Sequence, residues 1–297
     1  MSWLEAALLG VLEGLTELLP VSSTGHLVLL GEWLGGHDDA AKSFDIVIQL
    51  GAVLAVALYY RARLGALAGG VVRRDPRALQ LLAALAVGFL PAALVGLALH
   101  RWIKERLFGA VPVAAALIVG GVLMIGVEVG RRWYARRAAR TDSDTDTDTD
   151  RRGSSTTTTT ASAPGLVGLE HVTIWRALVI GLSQCLSLWP GTSRSMTTIV
   201  GGQLSGLSTA TAAEFSFLLA IPTLGAATLY DLYKNGHALL AAPQGATALA
   251  IGMVTSFAVA LLVVHAFLRY LRRFGMVPFG VYRIALGALV LLLVRPG

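Results

Sequence analysis

The sequence predicts an all-α polytopic membrane protein, with about six transmembrane helices and two re-entrant helical hairpins in an inverted repeat. Composition decides the class. Of 297 residues, 55% are hydrophobic and 14% charged, and the mean hydropathy is +0.68. Soluble domains carry about 25% charged residues. The apolar runs supply the spans, and two polar interruptions, one in each half, supply the hairpins.

A bilayer demands about 20 apolar residues per helix, and the segments that approach this are 44–60, 79–99, 111–130, 212–232, 246–268 and 278–294. The first and last are short and need flanking residues to complete a crossing. Two further apolar regions, 3–35 and 173–205, are cut in the middle. The first cut is Glu13-Gly14-Leu15-Thr16-Glu17-Leu18-Leu19-Pro20-Val21-Ser22-Ser23-Thr24-Gly25-His26, and the second is Pro190-Gly191-Thr192-Ser193-Arg194-Ser195-Met196-Thr197-Thr198. Broken backbone at membrane depth survives only where it is buried in protein or lines a wet cavity. Each cut region therefore reads as half-helix, polar turn, half-helix; two ordinary kinked helices are the alternative.

The net charge of +6 and pI near 9.8 invite a nucleic-acid reading. The basic residues, however, cluster between spans, where membrane topology accounts for them and no nucleic-acid partner is implied. Arg61, Arg63, Arg73, Arg74 and Arg77 follow the first full span. Arg131, Arg132, Arg136, Arg137 and Arg140 follow the third, and Arg269, Arg272 and Arg273 the fifth. With both hairpins returning to their own side, these clusters share one face, the cytoplasmic one by the positive-inside tendency, and both termini lie outside. The weaker cluster of Arg101, Lys104 and Arg106 falls on the other face.

Residues 141–164 alternate Asp with Thr or Ser and then become a Ser/Thr run, a composition expected of a disordered cytoplasmic linker. The linker separates residues 1–140 from 165–297, and each part has the same order of a broken hairpin and three spans. Aligning Pro20 with Pro190 also brings Ser23 onto Ser193, Leu12 onto Leu182 and Ala7-Leu8 onto Ala177-Leu178. Three spans per half invert the second half relative to the first and bring the two breaks together near the midplane. The single cysteine, Cys185, excludes an intramolecular disulfide framework. Met1–Leu12 show no basic region and no small-residue cleavage site, so a cleaved signal peptide is not expected.

Glu13 and Glu17 stand four apart, on one face of a helix. Two like charges in a low-dielectric setting are unfavourable unless a proton or cation lies between them. The pair suits a divalent cation such as Mg²⁺ or Ca²⁺, which prefer oxygen ligands; a water-filled vestibule without metal is the alternative. Glu5 reads as an interfacial residue. Ser22, Ser23 and Thr24 follow the proline, where free amides at a helix start suit an anion. Ser23 is a candidate nucleophile with His26 as its base. In the second break Arg194 supplies a guanidinium fork suited to phosphate, with Gly191 in the turn and hydroxyls from Ser193, Ser195 and Thr198. Carboxylates with a metal, a hydroxyl, an imidazole and an arginine form a phosphoryl-transfer set. Its position in the bundle suggests a lipid substrate whose tail stays in the bilayer. His100, His237 and His265 are left outside the site.

The Glu13–His26 stretch and Pro190–Ser195 resemble the two signature segments of the undecaprenyl-diphosphate phosphatases, the bacitracin-resistance family. Phe44–Gly51 and Ala213–Pro222 resemble it too, so the likeness spans nearly all of the chain except the 141–164 linker. The resemblance implies a multi-pass hydrolase of the bacterial inner membrane. It would convert undecaprenyl diphosphate to undecaprenyl phosphate, the carrier lipid for peptidoglycan, with a site opening to the extracytoplasmic side. It also implies that Glu13 and Glu17 are the essential acidic pair, His26 the essential histidine and Ser23 a candidate nucleophile. Ser193, Arg194 and Thr198 fall on the phosphate-side motif. The family usually has glycine where this chain has Met196, a side chain expected to narrow the pocket or shift the turn. Three nucleophiles stay open: Ser23, His26 and a water activated by a Glu-bound metal. A lipid-phosphate flippase or anion transporter is the rival function, because inverted repeats with broken helices also build transporters. A homodimer is compatible with the sequence.

Overall fold

The computed structural model describes residues 2–34, 39–107, 109–145, 165–241 and 245–293, and these are helical almost throughout. In chain order the helices are α1 (Trp3–Thr16), α2 (Ser23–Leu34), α3 (Asp39–Tyr59), α4 (Arg61–Val72), α5 (Pro76–Arg106), α6 (Ala110–Thr145), α7 (Ile174–Gln184), α8 (Arg194–Leu204), α9 (Thr209–Ala241), α10 (Gly245–Phe274) and α11 (Val277–Leu293). Four of them, α5, α6, α9 and α10, are long and apolar enough to cross a membrane, and the chain is an all-α polytopic membrane protein. The first and last expected spans are short here too. The apolar part of α3 reaches the required length only together with α4, and α11 has 17 residues.

Local sequence sets several boundaries. Ser2 and Glu5 close α1 with a reciprocal capping box, so Glu5 serves the helix start. Asp75 caps α5, whose first residue is Pro76. The stretch after α3, expected to be a basic loop, is instead α4, bent 72° away from α3 with no buried residue. Its Arg63 reaches Glu214 on α9 in an ion pair. Within the expected linker, residues 141–145 continue α6, because a long helix propagates through a polar stretch more readily than a new one nucleates. The rest of that linker, 146–164, lies outside the described residues.

Both cut regions are helix–turn–helix. Their arms have 14 and 12 residues in the first hairpin and 11 and 11 in the second. At about 1.5 Å per residue, none reaches the about 30 Å of a hydrocarbon core. The first arm of each hairpin packs on the opposite half, α1 on α10 and α7 on α5, while α8 packs chiefly on α9 of its own half. The other large contacts across the halves join α3 to both α9 and α10, and α6 to α11. Glycines allow the close approach that replaces hydrophobic driving force in a bilayer. A Cβ on Gly10 would lie 2.5 Å from the Gly252 carbonyl oxygen, and one on Gly181 would lie 2.6 Å from that of Gly88. Gly10 and Gly181 therefore correspond, as do the turn residues Ser22 and Ser193. That register is one residue out of step with the alignment of Ser23 on Ser193.

The α1–α10 contact gives a direct stability test. Gly10→Ala should lower unfolding stability by about 1–3 kcal/mol, because backbone rather than a flexible side chain blocks the new methyl. Gly65→Ala, where nothing lies within 4 Å, should cause no such loss. Thermal unfolding of the two variants in detergent checks the contrast.

Candidate active site

Each hairpin turns through one serine held in the left-handed region. Ser22 has φ 74° and Ser193 has φ 72°, a conformation that costs a non-glycine residue about 1–3 kcal/mol. Each hydroxyl offsets part of that cost by capping the helix that follows. Ser22 Oγ accepts from the Gly25 amide at 3.2 Å, and Ser193 Oγ accepts from the Met196 amide at 3.3 Å. The turns thus start α2 at Ser23 and α8 at Arg194.

The two breaks meet. Arg194 Nη2 lies 3.4 Å from Glu17 Oε1, and both side chains are buried. Ser195 Oγ donates to the Leu19 carbonyl oxygen at 2.9 Å. Arg283 of α11 donates to the carbonyl oxygens of Pro20 and Gly191, one from each turn. The expected juxtaposition of carboxylates and guanidinium is therefore present, across the boundary between halves.

Ser23 and His26 do not form the hydrogen bond that their spacing suggested. Ser23 Oγ donates to Glu17 Oε2 at 2.5 Å. The His26 ring folds back along α2, so that Nδ1 lies 2.7 Å from the Ser22 carbonyl oxygen. That oxygen only accepts, so Nδ1 carries a proton. Nε2 lies 2.6 Å from the Tyr282 hydroxyl oxygen, and the two rings are almost parallel with centroids 5.7 Å apart. Both ring nitrogens are thus engaged away from Ser23.

Glu13 is fully buried, and its carboxylate finds no N–H or hydroxyl donor; its polar neighbour is the carboxyl group of Glu17. It stands in the field of Glu17 and Asp45. Orphaned carboxylate oxygens beside a second carboxylate are donors that fit a hard divalent cation. Among the described residues no three of His, Cys, Asp and Glu gather into a ligand set. Further ligands would have to come from phosphate oxygens or water.

Around Arg194 the hydroxyls divide the work. Nη1 donates to the Ser216 carbonyl oxygen at 3.1 Å, while Nε has no acceptor. Thr198 Oγ1 lies 2.6 Å from Ser216 Oγ and donates to the Arg194 carbonyl oxygen, so this hydroxyl ties α8 to α9. Thr24 is half-buried on the first turn of α2, and Ser193 Oγ lies 3.1 Å from Ser195 Oγ. Gly191 has φ 94°, and a Cβ there would lie 2.6 Å from the Val113 carbonyl oxygen, so its contribution is backbone. The Met196 side chain points into the core. It is 2% exposed, with Cε against Gly120, whose missing side chain leaves the space.

Asp45, Ser216, Tyr282 and Arg283 were not singled out in the sequence. Asp45 and Arg283 carried a usable signal, since each is the one charged residue of its predicted span. Ser216 lies in the family-like segment Ala213–Pro222 but nothing there marks it individually, and Tyr282 carried no signal, because only the fold brings them to Arg194 and His26.

A sequence profile of the family described as bacitracin resistance protein BacA matches residues 6–289. A Sorangium cellulosum (strain So ce56) protein named undecaprenyl-diphosphatase is 64% identical over 291 residues, 98% of this chain and 86% of that protein. One of the same name from Methylobacillus flagellatus is 42% identical over 288 residues, 97% of this chain and 96% of that protein. Another, from Thermoanaerobacter sp. (strain X514), is 41% identical over 293 residues, 98% of this chain and 96% of that protein.

The packing of Met196 has a measurable outcome. Met196→Ala should cost about 2–5 kcal/mol of unfolding stability, as expected of a buried methionine truncated in a filled core. A thermal melt unchanged from the parent would place the side chain outside the core.

Proposed function

Because the chain belongs to the BacA family of bacitracin resistance proteins, we propose that it is a membrane phosphatase. It hydrolyses undecaprenyl diphosphate to undecaprenyl phosphate and inorganic phosphate, and so returns the carrier lipid to cell-wall synthesis. The observation that carries the reading is the contact of Glu17 with Arg194, which joins an acidic and a phosphate-binding segment across the two halves. A flippase or anion transporter has little use for the carboxylates of Glu13 and Glu17 beside a phosphate path. The hairpin exchange of α1 with α10 and α7 with α5 supports reading residues 1–140 and 165–297 as an inverted repeat. The basic clusters support an inner-membrane protein whose site opens to the extracytoplasmic side.

Ser23 attacks the terminal phosphorus. Its hydroxyl proton passes to Glu17 Oε2, the oxygen it already contacts at 2.5 Å. The Ser23 Oγ–P bond forms as the bond from phosphorus to the bridging oxygen breaks, and undecaprenyl phosphate leaves with that oxygen's electron pair. Water then attacks the phosphoseryl group, and release of inorganic phosphate restores the Ser23 hydroxyl. Arg194 Nε, buried without an acceptor, is the donor available to a non-bridging phosphate oxygen. The first amides of α2 and α8, with Ser22, Thr24, Ser193 and Ser195 around them, favour the same anion. His26, held by Ser22 and Tyr282, shapes the turn beside Ser23. Glu13 and Glu17 would hold a divalent cation together with substrate oxygens, and when bound it neutralises charge on the terminal phosphate.

Phosphate release from polyprenyl diphosphates, measured in detergent with and without chelator, tests the function. No release with Mg²⁺ or Ca²⁺ present would falsify it. Glu17→Gln and Arg194→Ala should each lower kcat by about 10²–10⁴-fold in the folded fraction. Trapped phosphoenzyme should carry its label on Ser23. Label on His26, or none, would select one of the other two nucleophiles.

A further inference from the structure

Arg283 is among the largest fully buried side chains, with no exposed surface. Its guanidinium makes four hydrogen bonds, all to backbone carbonyl oxygens. Nε donates to Leu117 at 3.4 Å and Nη2 to Ala116 at 3.1 Å, both on α6. Nη1 donates to Pro20 at 3.2 Å, and Nη2 also donates to Gly191 at 2.9 Å. Among the described residues no carboxylate pairs with it.

A cation without a counter-ion is an expensive way to fill volume inside a membrane protein. The geometry shows what is obtained in return. Pro20 and Gly191 each precede by two residues the serine that caps the following helix. One planar group therefore grips the equivalent carbonyl in each turn and anchors both to α6. An ammonium has three donors on a flexible stem, too few for four carbonyls, whereas a guanidinium has five in a fixed plane. The neighbouring helix leaves room for it, because a Cβ on Gly120 would fall well inside contact distance of Nη2.

We infer that Arg283 is a positioning residue of the split site: it fixes the separation of the two turns and so keeps Glu17 and Ser23 registered against Arg194. It does not touch the substrate. The inference rests on the phosphatase reading for its kinetic consequence, but its geometric consequence stands apart from that reading.

The test pairs kinetics with amide hydrogen exchange on the full-length protein in detergent. Arg283→Lys keeps the charge and loses the fork. Gly120→Ala, made in a Met196→Ala background to remove the clash with Cε, keeps Arg283 and displaces its guanidinium. In both, kcat per folded molecule should fall by about 10²-fold, the size of effect expected from a misplacement of about 1 Å, with KM little changed. Exchange should rise in the peptides covering Leu18–Gly25 and Trp189–Met196 together, and not in the middle of α3, α9 or α10. Unchanged exchange in both turns overturns the inference, whatever the activity. So does a rise spread evenly over the molecule, or a loss of turnover that vanishes on correction for folded protein. A parent protein that releases no phosphate removes the phosphatase reading, and the exchange pattern then decides the role of Arg283 alone.

Discussion

Two hairpins reverse direction inside an apolar bundle, and each reversal exposes backbone amides and carbonyls that lipid cannot satisfy. The rest of the site follows from how these groups are paired. Ser22 and Ser193 turn their own hydroxyls onto the amides of the next helix. The carbonyl of Leu19 is met by Ser195, from the opposite turn. Those of Pro20 and Gly191 share one guanidinium. Pairing the backbone consumes most of the polar groups that the two breaks contain. What is left over, the oxygens of Glu13 and the Nε of Arg194, is the equipment available for a ligand.

The buried pair of Glu17 with Arg194 is a poor source of stability, since desolvation offsets much of the attraction between its charges. Its value lies in poise. Glu17 already accepts from Ser23 through its other oxygen, so one carboxylate orders both a hydroxyl and a guanidinium before any substrate arrives. Such preorganisation spares reorganisation during reaction, which is where electrostatic catalysis gains most. His26 stands apart from that chain of contacts, bound to a backbone oxygen on one side and a phenol on the other.

The breaks were legible in the sequence because polar residues inside apolar runs are costly in a bilayer and so mark a site. Glu13, Glu17 and Arg194 were legible for the same reason. Their meeting is seen in the contact of Glu17 with Arg194. Side-chain partners were not legible where they depend on distant helices. The spacing of Ser23 and His26 looks like a nucleophile and its base, but Tyr282, far along the chain, takes the ring nitrogen. Met196 looks like an obstruction until Gly120 is seen to make room for it. Ser22 and Ser193 share a left-handed turn conformation one residue from the pairing that Pro20 and Pro190 suggest, a likeness of backbone that thin identity does not reveal. The bend after Tyr59 left little trace, since a basic helix lying against the bundle has the composition of a loop.

The exchange of hairpins between halves bears on how the protein is made. α1 precedes all the other described helices in the sequence, yet the helix that seats it, α10, lies in the far half. The buried Glu13 of α1 thus depends for its bed on a helix from the far end of the second half. The split site therefore closes only when segments far apart in sequence have met, and neither half can complete its own hairpin's seat.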